Sequence, residues 1–259
     1  MIYPEAMQPE SSERSLASPV GRVVVTLTGS GGKRLTALAR CAGWQANLWP
    51  GLTFVPVQER VAELANLGHY RWLLLTSPQG VRSLIGGLAD LGQGPEALLG
   101  LRVAAVGEGT AQHLAAWGRA ADFVPAQADA RTLAAQLPAQ SGELILHVTG
   151  QDSRDQLRQG LKNRGLEYQR LALYRSCAVT YSAEARSDLL AADYVVVASG
   201  VAARGLAEQL GLGLPLLAMG EQTAQAARAV GFGWVEQAQS PSVEGLLRSL
   251  NSLAPRPPV

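Results

Sequence analysis

Small polar residues follow the strand-like runs of this sequence, and a helix-like segment comes after most of them. Such residues leave backbone N–H groups accessible, and the first turn of a helix attracts anions. The chemistry that suits them is the binding of a ligand with several carboxylates. The turns are Thr28-Gly29, Ser77-Pro78, Gly107-Glu108, Thr149-Gly150, Ser199-Gly200 and Gly220-Glu221.

Helix capping is a second interpretation of the same side chains. A Ser or Thr hydroxyl at the N-cap accepts a hydrogen bond from a free N–H of the first turn. On this interpretation Ser77, Thr110, Ser199 and Thr223 are N-cap residues. The two interpretations are compatible, because a cap can also lie beside a ligand.

Two glutamates, Glu108 and Glu221, occupy equivalent positions in these turns and resemble an acid/base pair. A carboxylate in the first turn of a helix is also favoured by the helix dipole. We expect both glutamates in first helical turns, without a catalytic role.

The turns belong to an internal duplication of the chain. Three pairs of segments match in the same order and at nearly constant separation: Gly107–Gln112 with Gly220–Gln225, Trp72–Ser77 with Tyr194–Ser199, and Val23–Gly29 with Leu144–Gly150. A duplication of strand, turn and helix predicts two similar lobes with a cleft between them, where a ligand would bind.

Strands that alternate with short helices predict βαβ units, and therefore parallel sheets covered on both faces. The fold class is accordingly α/β, with two similar parallel-sheet lobes. In such sheets ligands bind at the carboxyl ends of the strands. Among the predicted elements are a helix over Arg154–Arg164 and a short strand over Asp122–Pro125.

The composition excludes several classes of protein. Charged residues make up 17% of the chain and the net charge is +1, so a broad nucleic-acid interface is not expected. The sequence contains no apolar stretch long enough for a membrane span. Residues 1–19 are polar and predict a disordered leader, without the apolar core of a signal peptide. Cys41 and Cys177 are expected to be free, buried thiols of a cytoplasmic protein.

Metal and cofactor motifs fail in this sequence. The three histidines have no metal-ligand spacing. The loop Gly29-Ser-Gly-Gly32 departs from the dinucleotide fingerprint, because Arg34 stands where its third glycine would fall. No metal and no cofactor site is therefore predicted.

Five segments occur in a characteristic order and spacing: Leu75-Thr-Ser-Pro78, Ala105-Val-Gly-Glu-Gly-Thr-Ala111, Leu173-Tyr-Arg175, Val197-Ala-Ser199 and Ala218-Met-Gly-Glu-Gln-Thr-Ala224. Through these segments, residues 20–252 resemble the uroporphyrinogen-III synthases. One site departs from the family. Bacterial members usually carry Thr-Arg-Pro after the first strand, where this chain has Thr26-Leu-Thr28. A neighbour such as Lys33 or Arg34 would have to replace that arginine.

The resemblance implies a specific reaction. Enzymes of this family close hydroxymethylbilane, a linear tetrapyrrole rich in carboxylates, with loss of water and inversion of ring D. The product is uroporphyrinogen III, and neither a metal nor an organic cofactor is used. The partner implied is the tetrapyrrole alone, bound by a monomer.

The resemblance also assigns roles to residues. Tyr174 matches a tyrosine that faces the cleft, where it would donate a proton or only position the substrate; packing at the lobe junction is the alternative. Thr110 and Thr223 match threonines that line the cleft. The turns that contain Ser77, Pro78, Ser199 and Gly200 match turns whose amides hold carboxylates.

A further candidate turn is Thr149-Gly150. Arg154 follows it at the expected helix start and could pair with a carboxylate of the substrate, although a solvated surface arginine is the alternative.

Lobe boundaries also follow from the resemblance. Residues 20–48 with 180–259 would form one lobe and residues 57–170 the other, and residues 49–56 and 171–179 would connect them. Two other functions remain open at this point: a non-catalytic two-lobed binding protein, and a degenerate synthase that serves as an interaction domain.

Overall fold

The computed structural model describes residues 20–153 and 156–253. The expected leader, residues 1–19, and the candidate Arg154 lie outside the described residues. The chain divides into two compact units. The first unit holds the described residues up to Gly51 and from Val179 onward, and the second unit holds Leu52–Ala178.

The secondary structure of the described residues alternates as expected for an α/β protein. Its strands are β1 Arg22–Val25, β2 Gln45–Leu48, β3 Leu52–Pro56, β4 Trp72–Leu75, β5 Arg102–Ala105, β6 Leu144–Gly150, β7 Glu167–Ala178, β8 Tyr194–Val197, β9 Leu216–Ala218 and β10 Val235–Gln237. Its α-helices are α1 Gly29–Cys41, α2 Pro78–Asp90, α3 Glu108–Ala116, α4 Ala130–Gln136, α5 Arg158–Lys162, α6 Ala183–Leu190, α7 Gly200–Leu210, α8 Glu221–Val230 and α9 Val243–Ser252. Shorter 3-10 helical segments cover Gln58–His69 and Pro95–Leu98.

Each unit is built on one five-stranded sheet. In the first unit the strand order is β10-β9-β8-β1-β2, and all neighbours are parallel. In the second unit the order is β3-β7-β6-β4-β5. Its strands are parallel except for the edge pair β3 and β7, which is antiparallel. The predicted fold class is confirmed. The antiparallel pair adds to it and includes parts of both segments that were expected to connect the lobes.

The sheet of the first unit is buried on both faces. Val24 packs in an apolar cluster with α6, α7 and α8, whereas Val23 and Val25 pack in another with α1 and α9. Because successive side chains of a strand point to opposite faces, a strand covered on both sides needs a continuous apolar run. The run Val23-Val24-Val25 supplies it.

The sheet of the second unit follows the same rule. Leu73 and Leu75 of β4 pack with α2 and α3, and Trp72 and Leu74 pack with α4 and α5. All four side chains are buried. The polar residues that follow β4 therefore lie at the carboxyl edge of the sheet, where the candidate site was predicted.

The short strand expected over Asp122–Pro125 is absent from this part of the structure and is replaced by a single bridge between Ala104 and Phe123. The Asp122 carboxylate accepts the N–H of Val103 at 2.7 Å, and Pro125 has no N–H to donate. A longer ladder cannot form at this point.

The helix expected over Arg154–Arg164 is short, because α5 covers only Arg158–Lys162. Gly160 lies in its middle and weakens the helix. A Cβ added at Gly160 would lie 2.9 Å from the Cβ of Ala134, so glycine allows α5 to approach α4 closely.

Both cysteines are free thiols, but the expectation that they are buried is wrong for Cys41, which is exposed. The buried face of α1 is formed by Gly32, Leu35, Thr36 and Ala39, and Cys41 lies off this stripe. Cys177 is half-buried. Within residues 20–153 and 156–253, no helix combines the length and the hydropathy that a membrane span requires.

Candidate active site

The candidate site in the second unit starts at Ser77, for which the structure shows one of the two roles considered, helix capping. It is the N-cap of α2, and its Oγ accepts the N–H of Gly80 at 2.9 Å. Pro78 is the first residue of α2, where the missing N–H costs nothing. The capping interpretation is therefore correct for Ser77, and it fixes the Oγ at the carboxyl end of β4.

Tyr174 meets this serine. Its hydroxyl lies 3.2 Å from Oγ of Ser77, and either oxygen can be the donor. The tyrosine is 7% exposed, and its ring stands edge-on to Phe54 with 5.6 Å between the ring centroids. Packing and hydrogen bonding together hold the hydroxyl at the edge of the sheet.

Gly150 completes this group of residues. The pairing of β6 with β7 shifts between Thr149 and Gly150, so that Gly150 stands opposite Tyr174. A Cβ added at Gly150 would lie 2.8 Å from Cε2 of Tyr174. Only glycine leaves room for the ring in this position. Thr149 is buried directly before it.

The two candidate threonines are not N-caps, so the capping interpretation is wrong for Thr110 and Thr223. The N-caps of α3 and α8 are Gly107 and Gly220. The N–H of Thr110 donates to the carbonyl of Gly107 at 3.0 Å, which places the threonine inside the first turn. Thr110 is 4% exposed and Thr223 is half-buried.

The glutamates Glu108 and Glu221 lie in the first turns of α3 and α8, as predicted. Each accepts a hydrogen bond from the glutamine one turn later, Gln112 at 3.1 Å and Gln225 at 3.0 Å. Their carboxylates thus stabilise helix starts in both copies of the duplicated segment.

The first unit carries the remaining candidates. Ser199 is the N-cap of α7 and accepts the N–H of Val201 at 3.1 Å. Gly200 follows, and a Cβ added there would lie 2.8 Å from the Cβ of Ala226 and 3.9 Å from Nη1 of Arg204. The guanidinium of Arg204 therefore lies beside the first turn of α7.

A cavity of about 470 Å³ opens at the same edge of this sheet. It is formed by the end of β9, the first turn of α8 and the segment after β10; its lining includes Gly220, Glu221, Thr223, Gln237 and Ser240. Thr223 therefore faces a space large enough for part of a ligand.

The predicted residues fall into two groups. Ser77, Gly150 and Tyr174 are in contact within the second unit, and Thr110 lies in that unit. Ser199, Gly200 and Thr223 belong to the first unit. No group of three or more metal-ligating side chains is found in the described parts of the chain.

Two functional candidates were missed from the sequence, Arg170 and Arg204. Arg170 precedes Tyr174 on β7, and its Nη2 donates to backbone carbonyls of the loop after β6. The sequence offers a weak signal for each: Arg170 is a cation four residues before Tyr174 on the same strand, and Arg204 is a cation near the start of a helix.

Comparisons with known proteins agree with this architecture. The family model described as uroporphyrinogen-III synthase HemD matches residues 33–248. The chain is 27% identical over 208 residues to the chloroplastic uroporphyrinogen-III synthase of Oryza sativa subsp. japonica, covering 75% of this chain and 67% of that protein. It is 25% identical over 160 residues to the porphyrin biosynthesis protein HemD of Ruminiclostridium josui, covering 60% of this chain but only 32% of that protein.

Solved structures show the same fold. A mutant uroporphyrinogen III synthase from the extremely thermophilic bacterium Thermus thermophilus matches 90% of this chain and 98% of its own, with 21% identity and a TM-score of 0.53. The uroporphyrinogen-III synthetase of Helicobacter pylori matches 90% of this chain and 99% of its own, with 15% identity and a TM-score of 0.62.

Fold and site together define a two-unit α/β protein with small polar turns at the carboxyl ends of its strands. Because the family model covers most of its length, the chain belongs to the uroporphyrinogen-III synthase HemD family.

Proposed function

We propose that this protein is a uroporphyrinogen-III synthase, which converts hydroxymethylbilane to uroporphyrinogen III in tetrapyrrole biosynthesis. The observation that carries the proposal is the match of residues 33–248 to the family, together with the Ser77–Tyr174 hydroxyl pair at a strand end. The chain would act as a monomer in the cytoplasm, a location that its two free cysteines support.

The proposed reaction begins with loss of the substrate's hydroxyl group. Tyr174 would donate a proton to this hydroxyl, which leaves as water and creates an electrophilic azafulvene. Ser77 holds the tyrosine hydroxyl in place. The phenolate would regain its proton from the one that the substrate releases as the macrocycle closes. A positioned general acid accelerates such a step by roughly 10²–10⁴.

The second part of the reaction depends on orientation. The azafulvene must be attacked by the substituted carbon of ring D, whereas free substrate tends to close without inversion. Turns at Ser77-Pro78, Thr149-Gly150 and Ser199-Gly200, with Thr110 and Thr223, would hold the carboxylates so that the inverted closure is favoured. Holding reactants in one geometry can lower a barrier by several kcal/mol, on the order of 7.

Arg204 adds a charge to this set of donors. Its guanidinium lies beside the positive end of the α7 dipole, where a cation is disfavoured. No ion pair neutralises it among the described residues. A substrate carboxylate at Ser199-Gly200 would satisfy both the helix end and the arginine.

The decisive experiment supplies hydroxymethylbilane to the purified protein and identifies the isomer by chromatography after oxidation. The type III isomer in excess over the spontaneous type I product is expected. A mixture identical to that formed without protein would refute the proposal, and it would leave the binding-protein and interaction-domain interpretations.

The catalytic assignment of Tyr174 is tested by Tyr174→Phe. We expect the rate of type III formation to fall by roughly 10²-fold, because the proton donor is lost while the ring remains. Tyr70→Phe serves as the comparison, since Tyr70 is half-buried in the same unit but precedes β4 at the opposite edge of the sheet. Equal rates for the two variants would remove Tyr174 from the mechanism.

A further inference from the structure

Arg170 is connected to the loop that follows β6. Its Nη2 lies 2.5 Å from the carbonyl oxygen of Gly150, 2.9 Å from that of Gln151 and 2.7 Å from that of Ser153. One guanidinium nitrogen therefore gathers three carbonyls of four consecutive residues. Nη2 has only two hydrogens, so at least one of them is shared between two of the carbonyl oxygens.

This contact sets the direction of the peptide groups in the loop. Because a peptide bond is planar and trans, a carbonyl that turns toward Arg170 sends the N–H of the next residue the opposite way. The N–H of Gln151 follows this rule and donates to the backbone carbonyl of Tyr174 at 2.7 Å. The loop is thus held on one side by Arg170 and on the other by the backbone of the candidate catalytic residue.

The same contact determines where Tyr174 can lie. Gly150 is the last residue of β6 and leads into the loop. The tyrosine ring occupies the space beside its Cα where a side chain would otherwise lie. If the loop moved, the ring would lose the surface on which it rests, and the contact between Tyr174 and Ser77 would lengthen.

Arg170 also contributes charge. Its partners in the described residues are neutral carbonyls, and its Nε–H is buried without a hydrogen-bond partner. No described carboxylate forms an ion pair with it. Within residues 20–153 and 156–253, the positive charge beneath the loop is therefore met only by carbonyl dipoles, and it favours an acidic ligand.

We propose that Arg170 is a positioning residue of the active site: it fixes the loop Gly150–Ser153 beneath Tyr174 and supplies a positive charge that attracts the carboxylate-rich substrate. This inference rests on the proposed function, since it names a further residue of the same site. Lysine would keep the charge, but its side chain is one bond shorter, so its ammonium group would stop short of the position from which Nη2 reaches all three carbonyls.

The chain offers a close control in Arg164. This arginine also donates to three backbone carbonyls, those of Ala134, Leu137 and Ala139, at 2.7 to 3.1 Å. It follows α5 and precedes β7, so it lies at the amino edge of the sheet, away from Tyr174. Replacing either arginine with methionine removes one charge and the same kind of contacts.

The proposal is tested by the kinetic constants of three variants, Arg170→Met, Arg170→Lys and Arg164→Met. The constants are measured well below the unfolding temperature of each variant. For Arg170→Met we expect kcat to fall at least about ten-fold and KM to rise, because a displaced site loses rate steeply. For Arg170→Lys we expect the loss in kcat with a KM close to that of the parent protein. Arg164→Met should lower the unfolding temperature and leave both constants unchanged. Identical constants for the two methionine variants overturn the inference.

A second measurement does not depend on activity. Amide hydrogen exchange of Gln151 reports the hydrogen bond to Tyr174, and we expect it to accelerate in Arg170→Met but not in Arg164→Met. Unchanged exchange overturns the inference even if the enzyme is slowed. Should Arg170→Met fail to fold, Arg170→Lys carries both measurements. If the parent protein forms no type III product, the proposed function fails, whereas the exchange result still decides the role of Arg170 in the loop.

Discussion

At the scale of single residues, Gly150 determines where the ring of Tyr174 can lie, because the ring occupies the space of a Cβ. Gly150→Ala would place a methyl group 2.8 Å from Cε2 of Tyr174, well inside van der Waals contact. Since Tyr174 is wedged against Phe54, it cannot withdraw without losing the hydrogen bond to Ser77.

We expect Gly150→Ala to reduce type III formation by about 10²-fold and to destabilise the fold by roughly 1–3 kcal/mol. Rates and denaturant unfolding measure the two effects. Gly86→Ala is the control: a Cβ at Gly86 meets no atom within 4 Å, and it should stabilise helix α2 by up to about 1 kcal/mol. Parent-like activity in Gly150→Ala would contradict the assigned geometry.

Arg204 is the second residue whose charge can be tested. We expect Arg204→Gln to raise KM for hydroxymethylbilane about two- to five-fold, because an exposed ion pair contributes roughly 0.5–1 kcal/mol. The effect should shrink as salt is added. Arg22→Gln, at the amino end of β1, removes the same charge from the other edge of the sheet and should leave KM unchanged. A salt-independent increase in KM would point to a change of structure instead.

At the scale of elements, the duplication could be recognised in the sequence because each copy determines the local structure of its own helix start. Gly107 and Gly220 are both N-caps with nearly identical backbone angles, φ −172° and ψ 171° against φ −165° and ψ 173°. The apolar runs of β1 and β4 likewise revealed their burial on both faces. Local structure could be predicted wherever the residues that determine it all lie within one element.

Features that depend on contacts across the chain were not readable. Arg170 binds backbone carbonyls about twenty residues away in the sequence. Because every residue has such a carbonyl, no residue type in the sequence marks these partners. The sequence pattern does not show at which residue a helix begins. Thr110 and Thr223 were therefore predicted as N-caps, although each lies three residues after the observed N-cap. The sequence pattern does not indicate helix α6, because only Ala185 and Leu189 are buried and little apolar periodicity results.

Tyr181 lies near the points where the chain passes from one unit to the other, and its buried hydroxyl affects how stability depends on pH. Its hydroxyl is buried without a hydrogen-bond partner, and a Cβ at Gly51 would lie 3.0 Å from it. Burial raises the pKa of Tyr181 to about 12. Between the pKa of an unfolded tyrosine, about 10, and this value, the unfolded chain loses a proton that the folded chain keeps. Stability therefore falls as pH rises through this window.

Tyr181→Phe should abolish this decline, which amounts to at most about 1.4 kcal/mol per pH unit, and should leave stability at pH 7 unchanged or slightly higher. Urea unfolding at pH 7 and across pH 10–12 measures both. Tyr168→Phe provides the contrast, since the hydroxyl of Tyr168 lies 2.7 Å from Nδ1 of His147 and its loss should cost about 1 kcal/mol at pH 7. A parent-like alkaline decline in Tyr181→Phe would show that another group titrates.

At the scale of the whole molecule, each unit has its own sheet and its own apolar clusters on both faces of that sheet. The second unit is one continuous stretch of chain, Leu52–Ala178. The first unit consists of two stretches of chain, one that ends at Gly51 and one that begins at Val179. These two residues are adjacent, since the N–H of Val179 donates to the carbonyl of Gly51 at 3.2 Å. Each unit therefore meets the requirements of a domain that folds alone.

The candidate site residues, however, are divided between the units, with Tyr174 in one and Thr223 in the other. We expect the excised second unit, residues 52–178, to fold cooperatively with native-like circular dichroism and yet to form no type III product. Its hydroxyl pair could still assist loss of water, but half of the turns that we propose to bind carboxylates would be missing, so the bilane would close without inversion. Faster consumption of hydroxymethylbilane with type I product would agree with this division of roles. Type III product from the excised unit would show that one unit alone selects the isomer.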